Sequence, residues 1–220
     1  MADTVSLFGE ERRVAHVPAA FAELVAAEEP RSLALSGGDT ARACYELLAT
    51  APVDWSPVEV YFGDERWVPI HDPDSNEGMA RVTFLDEVEP AAIHSLYGAG
   101  RTPEDAAAAY DARLRAAPPL GLVHVGLGPD GHTCSLFPGS PILDETERLV
   151  VTAGDDQHPH PRLTLTYPGL ARSELVVFTV AGAEKRDALA AVRRGDDLPA
   201  TRVRAPRVIW LVDAAAAGDA

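Results

Sequence analysis

Short, nearly continuous apolar runs alternate with helix-period segments along most of this chain, and that alternation constrains the fold more than any other feature. Arg31–Leu35, Val58–Phe62, Leu122–Val125, Leu149–Thr152, Leu163–Thr166, Leu175–Val180 and Val208–Val212 read as strands. Helices read at Thr40–Ala49, Pro103–Ala117 and Lys185–Arg194, the second with proline in its first turn and Glu104 and Asp105 behind it, as helix starts prefer. Strands without polar alternation are covered on both faces, so the pattern predicts an α/β fold with a mostly parallel sheet flanked by helices on both faces. At 220 residues the chain fits one domain, expected over residues 1–213, with the alanine-rich stretch 214–220 as a frayed tail. Ligands of such sheets bind beyond the carboxyl ends of the strands, so the loops that follow strands are where function is to be sought.

Charge narrows the ligand. With 34 acidic against 19 basic residues the net charge is −15, which disfavours nucleic acid and anionic membranes as partners. No apolar run reaches the roughly 18 residues of a membrane helix, and the N-terminus lacks the pattern of a secretory signal. Two cysteines, Cys44 and Cys134, are too far apart for a Cys-x-x-Cys pair and imply no disulfide framework, so a cytoplasmic location is expected. A small anion can still bind where cations and backbone N–H groups cluster locally.

Four loops hold candidate chemistry. Ser36-Gly37-Gly38-Asp39-Thr40 opens directly into a helix, the outline of an anion site, although a tight turn capped by Asp39 or Thr40 fits equally well. Gly63-Asp64-Glu65-Arg66-Trp67 packs two acids and an arginine at a strand's end; on the residues alone a solvated, salt-bridged turn is the simpler reading. The following Asp72–Gly78 superficially matches a calcium loop, but its glycine is one position late and Thr83 stands where glutamate is needed. Gly126-Leu127-Gly128-Pro129-Asp130-Gly131-His132 satisfies the G-x-G-x-x-G pattern, with Asp155 as a nominal ribose-binding acid. Pro138, Gly139 and Pro141 leave no room for the crossover helix that a dinucleotide site needs, so that reading is rejected. What remains is His132, two residues after Asp130, suited to a general base; a hydrogen-bonded structural histidine is the commoner fate. His158 and His160 flank Pro159, and no set of histidines has metal-ligand spacing, so no metal is expected.

Lys185 breaks two local rules. It heads the apolar stripe of its helix, with Ala188, Leu189 and Val192, and it sits in the first turn, where the helix dipole disfavours a cation. It is also the only lysine; the other eighteen basic residues are arginine. Such breaks are expected at functional sites. Arg162, at the start of a strand, says nothing alone.

Together, Ser36–Thr40, Tyr61–Pro69 with Asp74-Ser75-Asn76, Gly126–Gly139, Pro161–Thr166 and Gly182–Lys185 resemble, in order, the 6-phosphogluconolactonase family. Gly126–Gly139 is the long and specific stretch; Ala41 departs from the family's usual proline. Arg66 and the run Ser135-Leu136-Phe137-Pro138-Gly139 differ from the tyrosine and Phe-Asn-Glu run typical of the deaminase branch, favouring the lactonase. The resemblance implies a Rossmann-like fold, shared with glucosamine-6-phosphate deaminase and ribose-5-phosphate isomerase. It further implies hydrolysis of 6-phosphogluconolactone to 6-phosphogluconate in the oxidative pentose phosphate pathway, a sugar-phosphate ligand, no cofactor and a monomer. It assigns Gly37, Gly38, Thr40, Arg162 and Lys185 to the phosphate, His132 to the activation of water and Asp130 to orienting it. Arg66 then faces the sugar or the oxyanion, with Asp64 fixing Arg66 or a hydroxyl. Neither Ser36 nor Ser135 sits in a nucleophile elbow, which argues against an acyl-enzyme. An isomerase or deaminase would use Asp64 or Asp130 for proton transfer. A non-catalytic effector domain would need a helix-turn-helix that the residues before Arg31 are too few and too acidic to form.

Overall fold

The computed structural model describes residues 8–154 and 159–218; Asp155 and His158 lie outside them. In chain order the elements are β1 (Glu10–Arg13), α1 (Val17–Glu28), β2 (Ser32–Leu35), α2 (Asp39–Leu48), β3 (Glu59–Phe62), β4 (Asp64–Arg66), α3 (Asn76–Ala80), β5 (Ala92–Ile93), α4 (Pro103–Ala116), β6 (Leu120–Gly126), β7 (Val150–Ala153), β8 (Arg162–Leu165), α5 (Tyr167–Ala171), β9 (Ser173–Val180), α6 (Arg186–Arg194), β10 (Arg207–Val212) and α7 (Ala214–Ala217). Each strand and helix expected from the sequence is present, with ends shifted by one or two residues.

Seven strands form one sheet in the order β1-β10-β9-β6-β2-β3-β5, and every neighbouring pair is parallel. From β2 the chain moves outward to β3 and β5; from β6 it moves the other way, to β9 and β10. Right-handed crossovers therefore place α1 and α2 on one face and α4 and α6 on the other. The reversal lies between β2 and β6, with Leu33 opposite Leu122 and Ala34 opposite Val123. The core is continuous across the sheet: Leu33, Leu35, Phe62, Leu122, Val176 and Phe178 are all fully or almost fully buried. Phe178 stacks on Trp210 with 3.7 Å between ring centroids.

Two of the expected strands do not join this sheet. β7 and β8 pair antiparallel with each other, and β8 pairs antiparallel with β4, making a separate three-stranded sheet, β4-β8-β7. Their apolar runs mark them as buried strands, but run length does not say which partner they choose. β4 itself lies in the segment that reads as a salt-bridged loop.

The alanine-rich tail also differs from expectation. Ala214–Ala217 form α7, capped by the Asp213 carboxylate, which accepts from Ala216 N at 2.7 Å, and Ala216 is fully buried. The same carboxylate accepts from Gly182 N at 3.0 Å, tying the C-terminus to the turn just before Lys185. Asp213→Ala removes both bonds and is expected to cost about 1–3 kcal/mol of stability, the sum of a helix cap and one further hydrogen bond. Urea unfolding followed by circular dichroism measures this, and an unchanged midpoint would contradict the anchoring role.

Candidate active site

The loops that follow β2, β6 and β9, together with the antiparallel β4–β8 pair, enclose a cavity of about 220 Å³ at the sheet's reversal point. Every residue assigned a binding or catalytic role from the sequence except Asp130 lines it: Gly37, Gly38, Thr40, Asp64, Arg66, His132, Arg162 and Lys185. Asp130 reaches it through His132.

After β2 the chain turns at Gly38, whose φ of +94° favours glycine, and enters α2 at Asp39. Gly37 packs against the Asn76 side chain so closely that a Cβ there would lie 1.9 Å from Asn76 Oδ1. The turn and the first N–H groups of α2 therefore face the cavity as donors. Lys185 comes from the opposite side, at the junction between a short 3₁₀ turn, Ala183–Lys185, and α6. Ala188, Leu189 and Val192 are buried beneath it, as the stripe predicts. Its ammonium makes no ion pair with the described residues.

His132 sits in a turn closed by Gly131 N donating to Gly128 O at 3.0 Å and Gly128 N donating to His132 O at 2.8 Å. Gly131 takes a φ of +82°, and a Cβ on Gly128 would overlap the His132 ring at 2.1 Å. Two of the glycines that mimic a dinucleotide motif, Gly128 and Gly131, are thus required by the turn that holds the imidazole. No helix starts at Gly131. His132 Nδ1 and Asp130 Oδ1 are 2.5 Å apart, and the His132 backbone N–H donates to the same oxygen at 3.2 Å. Partial burial would raise the Asp130 carboxyl, but the bonds from His132 and the charge of its ring outweigh this and hold it below its ordinary value. In a neutral ring, an ionised Asp130 selects the tautomer with the proton on Nδ1, in which Nε2 carries the lone pair; Nε2 has no partner among the described residues.

The segment Asp64–Arg66 is not a solvated turn. Glu65 is 1% and Asp64 5% exposed. Glu65 accepts from three backbone N–H groups, Arg66 at 2.8 Å, Asn76 at 2.7 Å and Glu77 at 2.7 Å, and from the Ser75 hydroxyl at 3.1 Å. Burial pushes its carboxyl up, to about 7, against the pull of those backbone donors, and the neighbouring Asp64 charge adds to the rise. Asp64 does not fix Arg66. Its carboxylate accepts from Ser135 Oγ at 2.7 Å and from Asn76 Nδ2 at 3.2 Å, so it joins three loops of the site. Arg66 instead donates from Nη1 to the Asp74 carbonyl at 2.6 Å. The Asp72–Gly78 segment that resembles a calcium loop is a pair of turns, with Asp72 accepting from Asp74 N and Ser75 capping α3.

Arg66 and Arg162 stand directly opposite each other across the β4–β8 pair. The Nε atoms of both are buried and have no hydrogen-bond partner. Burial lowers the Arg162 pKa, the Asp64 charge opposes this, and the Arg66 charge adds to it. Like charges facing across an antiparallel pair destabilise it, and unpaired buried donors add to the cost. An anion in the cavity would relieve both. Arg162 also lies over the Phe137 ring at 5.5 Å, and Phe137 packs against His132 with centroids 4.9 Å apart.

Sequence reasoning missed Glu65, Asn76 and Ser135 as site-building residues. Asn76 belongs to the Asp74-Ser75-Asn76 stretch and carries a signal only when paired with the preceding Asp64-Glu65. His160, undecided on the sequence, meets Asp74 Oδ2 at 3.1 Å and lies on the outer side of this loop.

Comparison with known proteins gives the family and the fold. Residues 10–210 match the model of the family described as glucosamine-6-phosphate isomerases/6-phosphogluconolactonase. A 6-phosphogluconolactonase from Synechocystis is 38% identical, covering 92% of this chain and 90% of its own length. The solved structure of 6-phosphogluconolactonase from Trypanosoma brucei superposes with a TM-score of 0.84 at 25% identity, covering 97% of this chain and 99% of that one. A monomeric glucosamine-6-phosphate deaminase shares the fold, with a TM-score of 0.82 at 18% identity over 96% of this chain and 100% of that one. The chain belongs to the glucosamine-6-phosphate isomerase and 6-phosphogluconolactonase family.

Proposed function

We propose that this chain hydrolyses 6-phospho-D-glucono-1,5-lactone to 6-phospho-D-gluconate, the lactone-opening step of the oxidative pentose phosphate pathway. The observation that supports it best is the pairing, in one cavity, of a histidine oriented by a carboxylate with three cations, Arg66, Arg162 and Lys185, that make no ion pair among the described residues. Its relatives' names and the full-length match point to the same reaction.

In this reading the 6-phosphate lies against the Gly37–Gly38 turn, the Thr40 hydroxyl and Lys185, with Arg162 closing over it. Arg66, opposite Arg162, faces the sugar ring and the carbonyl oxygen. His132 Nε2 takes a proton from water as its oxygen attacks C1. Asp130 holds the ring in the tautomer that leaves Nε2 basic and stabilises the imidazolium as it forms. The tetrahedral intermediate then breaks the bond from C1 to the ring oxygen, which takes the proton back from His132, and the carboxylic acid so formed ionises. A δ-lactone is an activated ester, so these parts suffice: a positioned base contributes on the order of 10²–10⁴-fold, and a cation at the developing oxyanion about 10²–10³-fold.

His132→Ala is expected to lower kcat at least about a hundredfold with KM little changed. The assay generates the lactone in situ and subtracts its spontaneous opening; equal turnover by both proteins would remove His132 as the base, and wild-type turnover no faster than spontaneous opening would remove the lactonase reading. Lys185→Ala is expected to raise KM strongly with kcat nearly intact, because the ammonium binds a part of the substrate that does not react. An unchanged KM in the same assay would take Lys185 out of the phosphate set.

A further inference from the structure

Directly beneath the Ser36–Gly38 turn lies a buried polar chain that the chemistry above does not use. Tyr45, one and a half turns into α2, points back toward the start of its own helix. Its hydroxyl oxygen accepts from Ser36 N at 2.6 Å and lies 3.1 Å from Ser36 O. The same hydroxyl is 2.9 Å from His124 Nδ1, and His124 Nε2 is 2.8 Å from the Thr179 hydroxyl. Tyr45 and His124 are fully buried, and Ser36 and Thr179 almost so. Ser36, His124 and Thr179 all border the cavity, which places the chain between its floor and the sheet.

This chain crosses the reversal point of the sheet. Ser36 follows β2, His124 is on β6 and Thr179 is on β9, three adjacent strands. Phe21 of α1 stacks on the His124 ring with centroids 4.1 Å apart, fixing its plane. Burial lowers the His124 pKa to about 3, so the ring is neutral and has one donor and one acceptor nitrogen. Tyr45 has a single proton to give, either to Ser36 O or to His124 Nδ1. In both arrangements Ser36 N is satisfied and Thr179 completes the other end. A buried group with apolar neighbours would stabilise the core equally well; what the polar chain adds is a fixed orientation of the backbone at Ser36, the residue that leads into Gly37 and Gly38. Those glycines have no side chain with which to hold themselves, and Gly38 has open space where a Cβ would be.

We infer that Tyr45 and His124 are positioning residues for phosphate: through the Ser36 peptide they aim the Gly37–Gly38 turn and the start of α2 at the anion. This rests on the assignment of that turn to the 6-phosphate. It predicts that the network affects binding of the phosphate end of the ligand and leaves the attack at C1 almost unaffected.

The test compares wild type with Tyr45→Phe, which keeps the ring and removes the hydroxyl, and with Thr179→Val, which leaves the Tyr45–Ser36 bonds but removes the far partner of His124. Inorganic phosphate binding is measured by calorimetry, lactone hydrolysis by the in situ assay, and stability by thermal melting. In Tyr45→Phe the phosphate Kd and the lactone KM are expected to rise together about tenfold, the scale of one or two lost hydrogen bonds, with kcat within about twofold of wild type. Thr179→Val is expected to shift both constants in the same direction by less, and it carries the test should Tyr45→Phe not fold. A lowered melting temperature with unchanged phosphate affinity and KM in the folded variants would overturn the inference and leave the chain as core packing. Phosphate titration requires no turnover, so a wild type that binds phosphate but fails to open the lactone would count against the lactonase reading alone.

Discussion

Four donors converge on the carboxylate of Glu65, and without that convergence the β4 side of the cavity has no fixed shape. The backbone N–H groups of Arg66, Asn76 and Glu77 and the Ser75 hydroxyl all end on its two oxygens, in a place almost closed to water. Leaving such donors unmatched costs about 1–3 kcal/mol each, so the segment 75–77 and the strand carrying Arg66 are held together as one unit. Asn76, placed by this bond, then reaches Asp64 and abuts Gly37; Asp64 in turn holds Ser135, three residues beyond His132. A single buried acid thus connects the Gly37–Gly38 turn, the arginine strand and the His132 loop.

The electrostatics of the chain follow from the same arrangement. A molecule with net charge −15 gathers Arg66, Arg162 and Lys185 around one cavity. Elsewhere its arginines are largely engaged: Arg193 with Glu11, Arg207 with Glu28, Arg202 with Asp197. In the cavity the two guanidinium Nε atoms face each other's charge and find no acceptor. An anion in this cavity would offer both guanidinium groups an acceptor, as the proposed 6-phosphate substrate does. The acidic surface offers no long-range attraction, so capture depends on these few cations at short range.

Much of the fold was legible in the residues because apolar runs and helix caps are local signals. The strand ahead of Gly37 and the helix headed by Lys185 follow from periodicity and capping alone. Strand partnership is not local: nothing in Val150–Ala153 or Arg162–Leu165 distinguishes a member of the main sheet from one of a small antiparallel sheet. The same holds for the site. His132 with Asp130 stands out because the two are neighbours in sequence, and Lys185 because it violates its surroundings. Glu65 and Asn76 are eleven residues apart, and Tyr45 and His124 are seventy-nine; their meaning arises only when the sheet's reversal brings them together. The alanine-rich stretch shows the opposite case, where low side-chain content suggests fraying but one aspartate cap and one buried alanine accompany a helix at Ala214–Ala217.

In the proposed reading the cavity has two distinct polar ends, one for phosphate and one for the lactone carbonyl. A crystal structure of the complex with 6-phosphogluconate tests it most directly. Phosphorus is expected at the Gly37–Gly38 turn within reach of Lys185, and C1 beside His132 Nε2 with Arg66 at its oxygen. A product bound the other way round, with phosphate against His132 and the carboxylate on the glycine turn, would contradict it.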